Sequence, residues 1–353
     1  MTKRFFAPLL ALVLLLLCLP VTANDEEPTT IYVEAIERYK GASTLQEWLD
    51  GELTDNAGKG AEWYVYALIK RYPTLDYTRY EAALRGKLTT GSVSSPVSRM
   101  NCALALACLG SSPELVRETL DGGIGQLGIM SWIYGLHLLN AGYEATEYKA
   151  SDAVGQLLSL KKDDGGWAVS GQYGDVDVTA MALQALAPNR DLPGVSDAVA
   201  NALTFLASRQ LESGGFKSYG VENAESSAQV LIALSCLGAD ATDAGFAGGY
   251  ERLLAGLAQF ATESGGFSHE IGGEVNELAT AQAFLALSSV LASRAGKSSV
   301  YLPDVAPGSF VPTVSGGRFP FLILYIAIPI LAAATVVPFV LKRKRERTVE
   351  APK

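Results

Sequence analysis

The chain has 353 residues, with 37 acidic against 28 basic side chains, a formal net charge of −9 and only two histidines. An acidic balance of this kind disfavours nucleic acids and anionic polymers as partners. His137, His269 and the four cysteines show no CxxC and no metal-ligand spacing, so neither a zinc site nor any other metal site is expected.

The first element in chain order is a leader. Lys3 and Arg4 precede an almost wholly apolar run from Phe5 to Leu19, and Val21-Thr22-Ala23 supplies the small residues that signal peptidase needs. Residues 1–23 therefore read as a signal peptide. From 24 to 295 apolar residues follow helical spacing, and Gly, Pro or Asn interrupts the runs every 12 to 20 residues. Six segments are apolar nearly all round, near 60–70, 97–109, 126–141, 177–188, 225–238 and 277–292. Six more carry polar residues along one side, near 32–50, 76–88, 112–120, 148–161, 195–210 and 247–262. A helix apolar on every side has to be covered on every side, whereas an amphipathic one faces water. The alternation predicts an all-α domain of two concentric rings, with the apolar helices inside. Cys102, Cys108 and Cys236 fall within its apolar runs and read as small buried hydrophobes.

Residues 296–318, rich in Gly, Pro and Ser, read as a linker. Residues 319–341 are apolar, and 23 residues at about 1.5 Å each span roughly 34 Å, enough for one transmembrane helix. The basic cluster that opens the tail 342–353 places the C-terminus in the cytoplasm and the bulk of the chain outside it. The expected location is thus the cell membrane, with a single span. Setting leader and tail aside leaves 35 acids against 20 bases on the exported part.

Within the helical region one unit recurs. Gly165-Gly166-Trp167, Gly214-Gly215-Phe216 and Gly265-Gly266-Phe267 are spaced by 49 and 51 residues. Nine or ten residues after each aromatic stands a carboxylate, Asp177, Glu225 or Glu277, that opens an Ala/Leu-rich run. The glycine pairs suit a sharp turn from an outer to an inner helix, and the aromatics suit wedges between hairpins or faces for a ligand. Three carboxylates at inner-helix starts would meet at one mouth of a central cavity, as a binding or acid/base site. Helix capping is the alternative use of the same residues. Asp175, Asn223, Asn276, Gln229 and Gln282 share the region and can hydrogen-bond a ligand or one another.

These GGW/GGF turns with acidic helix starts resemble the repeats of terpenoid cyclases and protein prenyltransferase β-subunits. The segment Asp175-Val176-Asp177-Val178-Thr179-Ala180 is similar to the DxDDTA motif of squalene–hopene cyclases, with Val178 where that motif has a further Asp. The same helix starts resemble those of the cobalamin-binding α-domain of intrinsic factor and transcobalamin. Stretches such as DVDVTAMALQALAP and NAESSAQVLIALSCLG also resemble exported bacterial proteins with prenyltransferase/squalene-oxidase-type repeats. The resemblance is clear over 150–295 and faint over 30–150. It implies an (α/α)6 toroid of six helical hairpins, here followed by one transmembrane helix.

The expected function is a membrane-anchored, non-catalytic binding protein. The ligand would be a bulky small molecule, corrinoid-like or isoprenoid-like, or a protein partner at the cell surface. No cofactor is expected beyond a corrinoid held as ligand. The competing expectation is an enzyme, carbohydrate-cleaving or terpenoid cyclase-like, using Asp177 with Glu225 or Glu277. Sugar platforms for the former would come from Trp63, Tyr64, Tyr66, Trp132 and Tyr134.

Overall fold

In the computed structural model, which describes residues 28–313, the protein is all-α. The expected leader, membrane span and basic tail lie outside the described residues. Among the described residues no helix is long and apolar enough to cross a membrane. The chain divides into two compact units, and the first, ending at Phe310, holds every described helix.

Its helices are α1 (Pro28–Tyr39), a short α2 (Leu45–Trp48) running into a π-helical turn (Leu49–Leu53), α3 (Glu62–Arg71), α4 (Thr78–Thr89), α5 (Pro96–Cys108), α6 (Pro113–Gly123) and α7 (Gly128–Asn140). There follow α8 (Ala150–Ser159), α9 (Val176–Leu186), α10 (Val195–Arg209), α11 (Ala224–Leu237), α12 (Gly249–Ala258) and α13 (Glu277–Arg294). A two-stranded antiparallel hairpin, β1 (Lys217–Ser218) and β2 (Val221–Glu222), is the only sheet among the described residues.

The six segments apolar on every side are α3, α5, α7, α9, α11 and α13. In α11 every residue except Cys236 is buried. By contrast α12 buries only Gly249, Leu253, Gly256 and Leu257, a single stripe at helical spacing. Each all-apolar helix packs against the next, and α13 packs back against α3, so the neighbour relations close on themselves. The amphipathic helices lie on this inner set: α1 on α13, α4 on α5, α6 on α5 and α7, α8 on α7, α10 on α9 and α12 on α11. Small residues such as Ala228, Ala233, Ala283 and Ala286, all fully buried, let the inner axes approach closely.

The three GG-aromatic units are one structural module. In each, the residue three before the first glycine bonds the second glycine's carbonyl: Lys162 N to Gly166 O, Leu211 N to Gly215 O and Thr262 N to Gly266 O. The aromatic's N–H then donates to a hydroxyl one turn into the next inner helix: Trp167 to Thr179 (2.8 Å), Phe216 to Ser227 (3.3 Å) and Phe267 to Thr280 (2.9 Å). Gly214 and Gly265 have φ of +92° and +98°, and a Cβ on either would strike a backbone carbonyl of the neighbouring outer helix, Arg252 or Ala35. Only glycine meets both demands, and the Ala35 contact joins the last module to α1.

Residues 298–310, within the expected linker, belong to the first unit and pack across the inner-helix C-termini. Val300 and Tyr301 are buried. Tyr301 packs at a tilt against His137 (4.6 Å between centroids) and edge-on to Tyr66 (5.3 Å). Lys70 Nζ donates to Ser298 Oγ and Leu302 O and pairs with Asp304 (2.8 Å). Phe310 N donates to Gly110 O. Composition suggested a free spacer, but two apolar side chains, Val300 and Tyr301, suffice to seat it. The inner-helix C-termini are thereby covered, and the cavities lined by Asp177 and Glu277 lie at the inner-helix N-termini.

Candidate functional site

These cavities are built from helix starts, and the caps set their register. Asp175, Asn223 and Asn276 are the N-cap residues of α9, α11 and α13. Each accepts a hydrogen bond from a backbone N–H two or three residues on: Asp175 from Asp177 and Val178, Asn223 from Ser226, Asn276 from Ala279. Counting from these caps, Asp177 and Glu225 occupy the second helical position. So do Leu278 in α13 and Trp63 in α3. All four line one cavity of about 390 Å3. Met181, Gln229, Gln282 and the β1–β2 hairpin complete its wall, with His269 at the rim.

Glu277 does not join them. It stands at the first helical position, one residue earlier, which turns its side chain about 100° around the helix axis. It lines a separate cavity of about 470 Å3 with Glu52, Lys59 and Tyr64. There Lys40 Nζ donates to both its oxygens (2.6 and 2.8 Å) and to Glu52 (2.8 Å), and Tyr64 Oη donates to it (2.9 Å). The Lys40 ammonium also sits 4.7 Å from the Tyr64 ring centroid. Leu278 borders both cavities.

Asp177 and Glu225 have different surroundings. Glu225 is buried and its Oε2 lies 2.8 Å from His269 Nδ1. Asp177 has no cationic partner, and its Oδ1 is buried without a hydrogen bond. The adjoining Ser226 hydroxyl favours the carboxylate, yet its Oγ likewise completes no hydrogen bond. Burial, more than the neighbouring charges of Asp175 and Glu225, pushes the Asp177 carboxyl up to about 6.

The remaining expected residues divide by role. Gln184 donates to Gln229 Oε1 (2.8 Å), and Gln229 donates to Gln282 Oε1 (3.0 Å), a buried ladder across α9, α11 and α13 that ends at the cavity. Asp175 is occupied in capping and accepts from Ser218 (2.7 Å). Asn223 lines the cavity but spends both ends of its amide on Ser226 N and Val221 O. Asn276 caps α13. Trp167, Phe216 and Phe267 are buried and do not line the Asp177 cavity. Trp167 Nε1 donates to Leu157 O, Phe216 packs edge-on to Phe246, and Phe267 packs edge-on to Tyr32, where it borders a third cavity between α1, α12 and α13. Of the suggested platforms only Trp63 reaches the cavity; Tyr64, Tyr66 and Tyr134 are core.

His269, Met181, Leu278 and Tyr219 also belong to the cavity, although none stands out in the sequence. Tyr219 is 87% exposed at the hairpin tip with φ of +49°, ahead of Gly220 at +86°. The Tyr-Gly pair between short alternating segments was the available hairpin signal. Among the described residues no cluster of three or more His, Cys, Asp or Glu is placed to hold a metal ion. No family model matches the chain, and no curated protein matches it.

Proposed function

We propose that this chain is an exported, membrane-tethered (α/α)6 toroid that binds a small molecule at the open mouth of its ring and does not transform it. The observation that carries the reading is the asymmetry of the two ends. One end is closed by residues 298–310 of the chain itself. The other gathers the second residues of four inner helices around a cavity of about 390 Å3. That volume falls in the range of about 300–1,000 Å3 usual for small-molecule sites, and the mixture of apolar wall and few convergent polar groups is the usual composition. A corrinoid would lie across this mouth rather than inside it; an isoprenoid chain or a smaller molecule could enter.

A second reading, an acid–base enzyme, is favoured by one observation: Asp177 is pushed up to about 6 beside a Glu225–His269 pair. In that case Asp177 would act with Glu225, since Glu277 is committed to Lys40 and Tyr64 in the neighbouring cavity.

A thermal-shift screen of the full-length chain against corrinoids, isoprenoids, glycans and small organic ions tests the binding reading. A ligand present at 100 times its Kd should add about 2.7 kcal/mol to stability. Turnover of any stabilising ligand would decide for the enzyme. Silence from every class would leave a protein partner as the ligand.

A further inference from the structure

Resting on the binding reading, we propose that the cavity selects a small organic cation, an amine or quaternary ammonium group carried on an apolar body.

Charge gives the first reason. The acidic side chains lining the cavity are Asp177 and Glu225, joined by His269 and the phenol of Tyr219, with no lysine or arginine. His269 Nδ1 pairs with Glu225, and no cationic side chain forms an ion pair with Asp177 among the described residues. Its Oδ1 is buried without a hydrogen bond, and the fully buried Ser226 Oγ beside it is equally unpartnered. Leaving such groups unsatisfied costs a fold stability. An incoming ammonium group would supply the missing charge.

Aromatic placement gives the second. Trp63 stands at the same helical position as Asp177 and lines the same space, and Tyr219 borders it from the hairpin. Aromatic faces attract ammonium groups, and more strongly when water is displaced. Tyr219 also holds a left-handed backbone at the hairpin tip, a conformation a bulky L-residue rarely adopts. With Met181 and Leu278 the wall is apolar enough to take the body of such a ligand.

The Lys40 site next door shows the same chemistry satisfied internally. There an ammonium lies between the carboxylates of Glu52 and Glu277 and over the ring of Tyr64. The Asp177 cavity offers carboxylate and aromatic groups with the ammonium left to be supplied.

The test is calorimetry on the full-length chain at pH 8 with phenethylammonium, benzyltrimethylammonium, 2-phenylethanol and phenylacetate. The cations should bind at least tenfold more tightly than 2-phenylethanol, and phenylacetate more weakly still. Asp177→Asn should bring phenethylammonium to within about twofold of 2-phenylethanol. Glu225→Gln should weaken the preference as a second, independent variant. Lys40→Met, in the neighbouring cavity, should leave it unchanged. Equal or tighter binding of the alcohol or the acid overturns the cation assignment while the binding reading stands, as does a full preference retained in Asp177→Asn. If these four probes fail but the wider screen finds a ligand, the cation assignment alone falls; if every probe fails, both fall.

Discussion

Replacing Asp177 by Asn should stabilise the folded protein at pH 8, although it removes a residue from a helix start where acids are usually welcome. Burial raises the Asp177 carboxyl from 3.8 to about 6. A carboxyl raised in this way favours folding most below 3.8, where both states are protonated, and that advantage disappears as pH climbs through 6. At pH 8 the charged group therefore costs the fold roughly 3 kcal/mol relative to its neutral form. The helix dipole returns only about 0.3–1 kcal/mol to an acid in the first turn. Desolvation wins, and Asp177→Asn should gain on the order of 2 kcal/mol at pH 8 and nothing at pH 3.5. Urea denaturation at both pH values measures this, with an unchanged m-value required so that the midpoint reports stability. A variant no more stable than the parent at pH 8 would refute the assignment of an uncompensated buried charge, and would return Asp177 to the role of an ordinary helix-start acid. A gain in stability joined to a loss of cation binding is the pattern expected of a residue kept for function.

Three further perturbations bear on the helical packing. Gly256→Ala would ordinarily stabilise a helix by about 1 kcal/mol, but its Cβ would overlap the backbone of Gly214 and Gly215, so a net loss of about 1–2 kcal/mol is expected in urea melts; Gly155→Ala, with open space around it, should gain instead. Lys40→Met should lower stability by about 1–2 kcal/mol, because Lys40 is nearly buried while Glu52 and Glu277 keep access to water once it is gone. His137, pushed down to about 3 by burial under Tyr301, stays neutral in the fold while the unfolded chain takes up a proton below about 6.5. Stability should therefore fall as pH drops from 6.5 toward 4, by about 3 kcal/mol from this group, and His137→Phe should flatten that limb of a pH–stability curve.

Most of the architecture was legible because it depends on composition over whole helices. All six all-apolar segments are helices, each packed on the next; five of the six amphipathic segments are single helices lying on them, while 32–50 is broken into α1 and α2. The glycine turns were legible as turns because no other residue tolerates both positive φ and contact with a neighbouring backbone. Residues 298–310 were not, since Gly, Pro and Ser describe a chain without regular structure equally well whether it is free or seated by Val300 and Tyr301. His269 was legible as a loop residue, but its pairing with Glu225 joins positions 44 apart and leaves no local trace.

The carboxylates show where counting from the wrong landmark misleads. Measured from the aromatic of each turn, Asp177 and Glu277 are equivalent, both ten residues on, and Glu225 is the odd one at nine. Loops of unequal length intervene, however, and a helix sets direction only from its own start. The better landmark is the hydroxyl that ties each inner helix to its turn, Thr179, Ser227 or Thr280. Asp177 and Glu225 stand two residues before it and Glu277 three, a difference already present in the letters DVT, ESS and ELAT. One residue on a helix is about 100° of rotation. That is enough to carry Glu277 out of the shared cavity and into the grip of Lys40. Three acids that look like one repeated feature thus do two jobs: Glu277 secures the junction where the last hairpin meets α1, and Asp177 and Glu225 give the open mouth its charge.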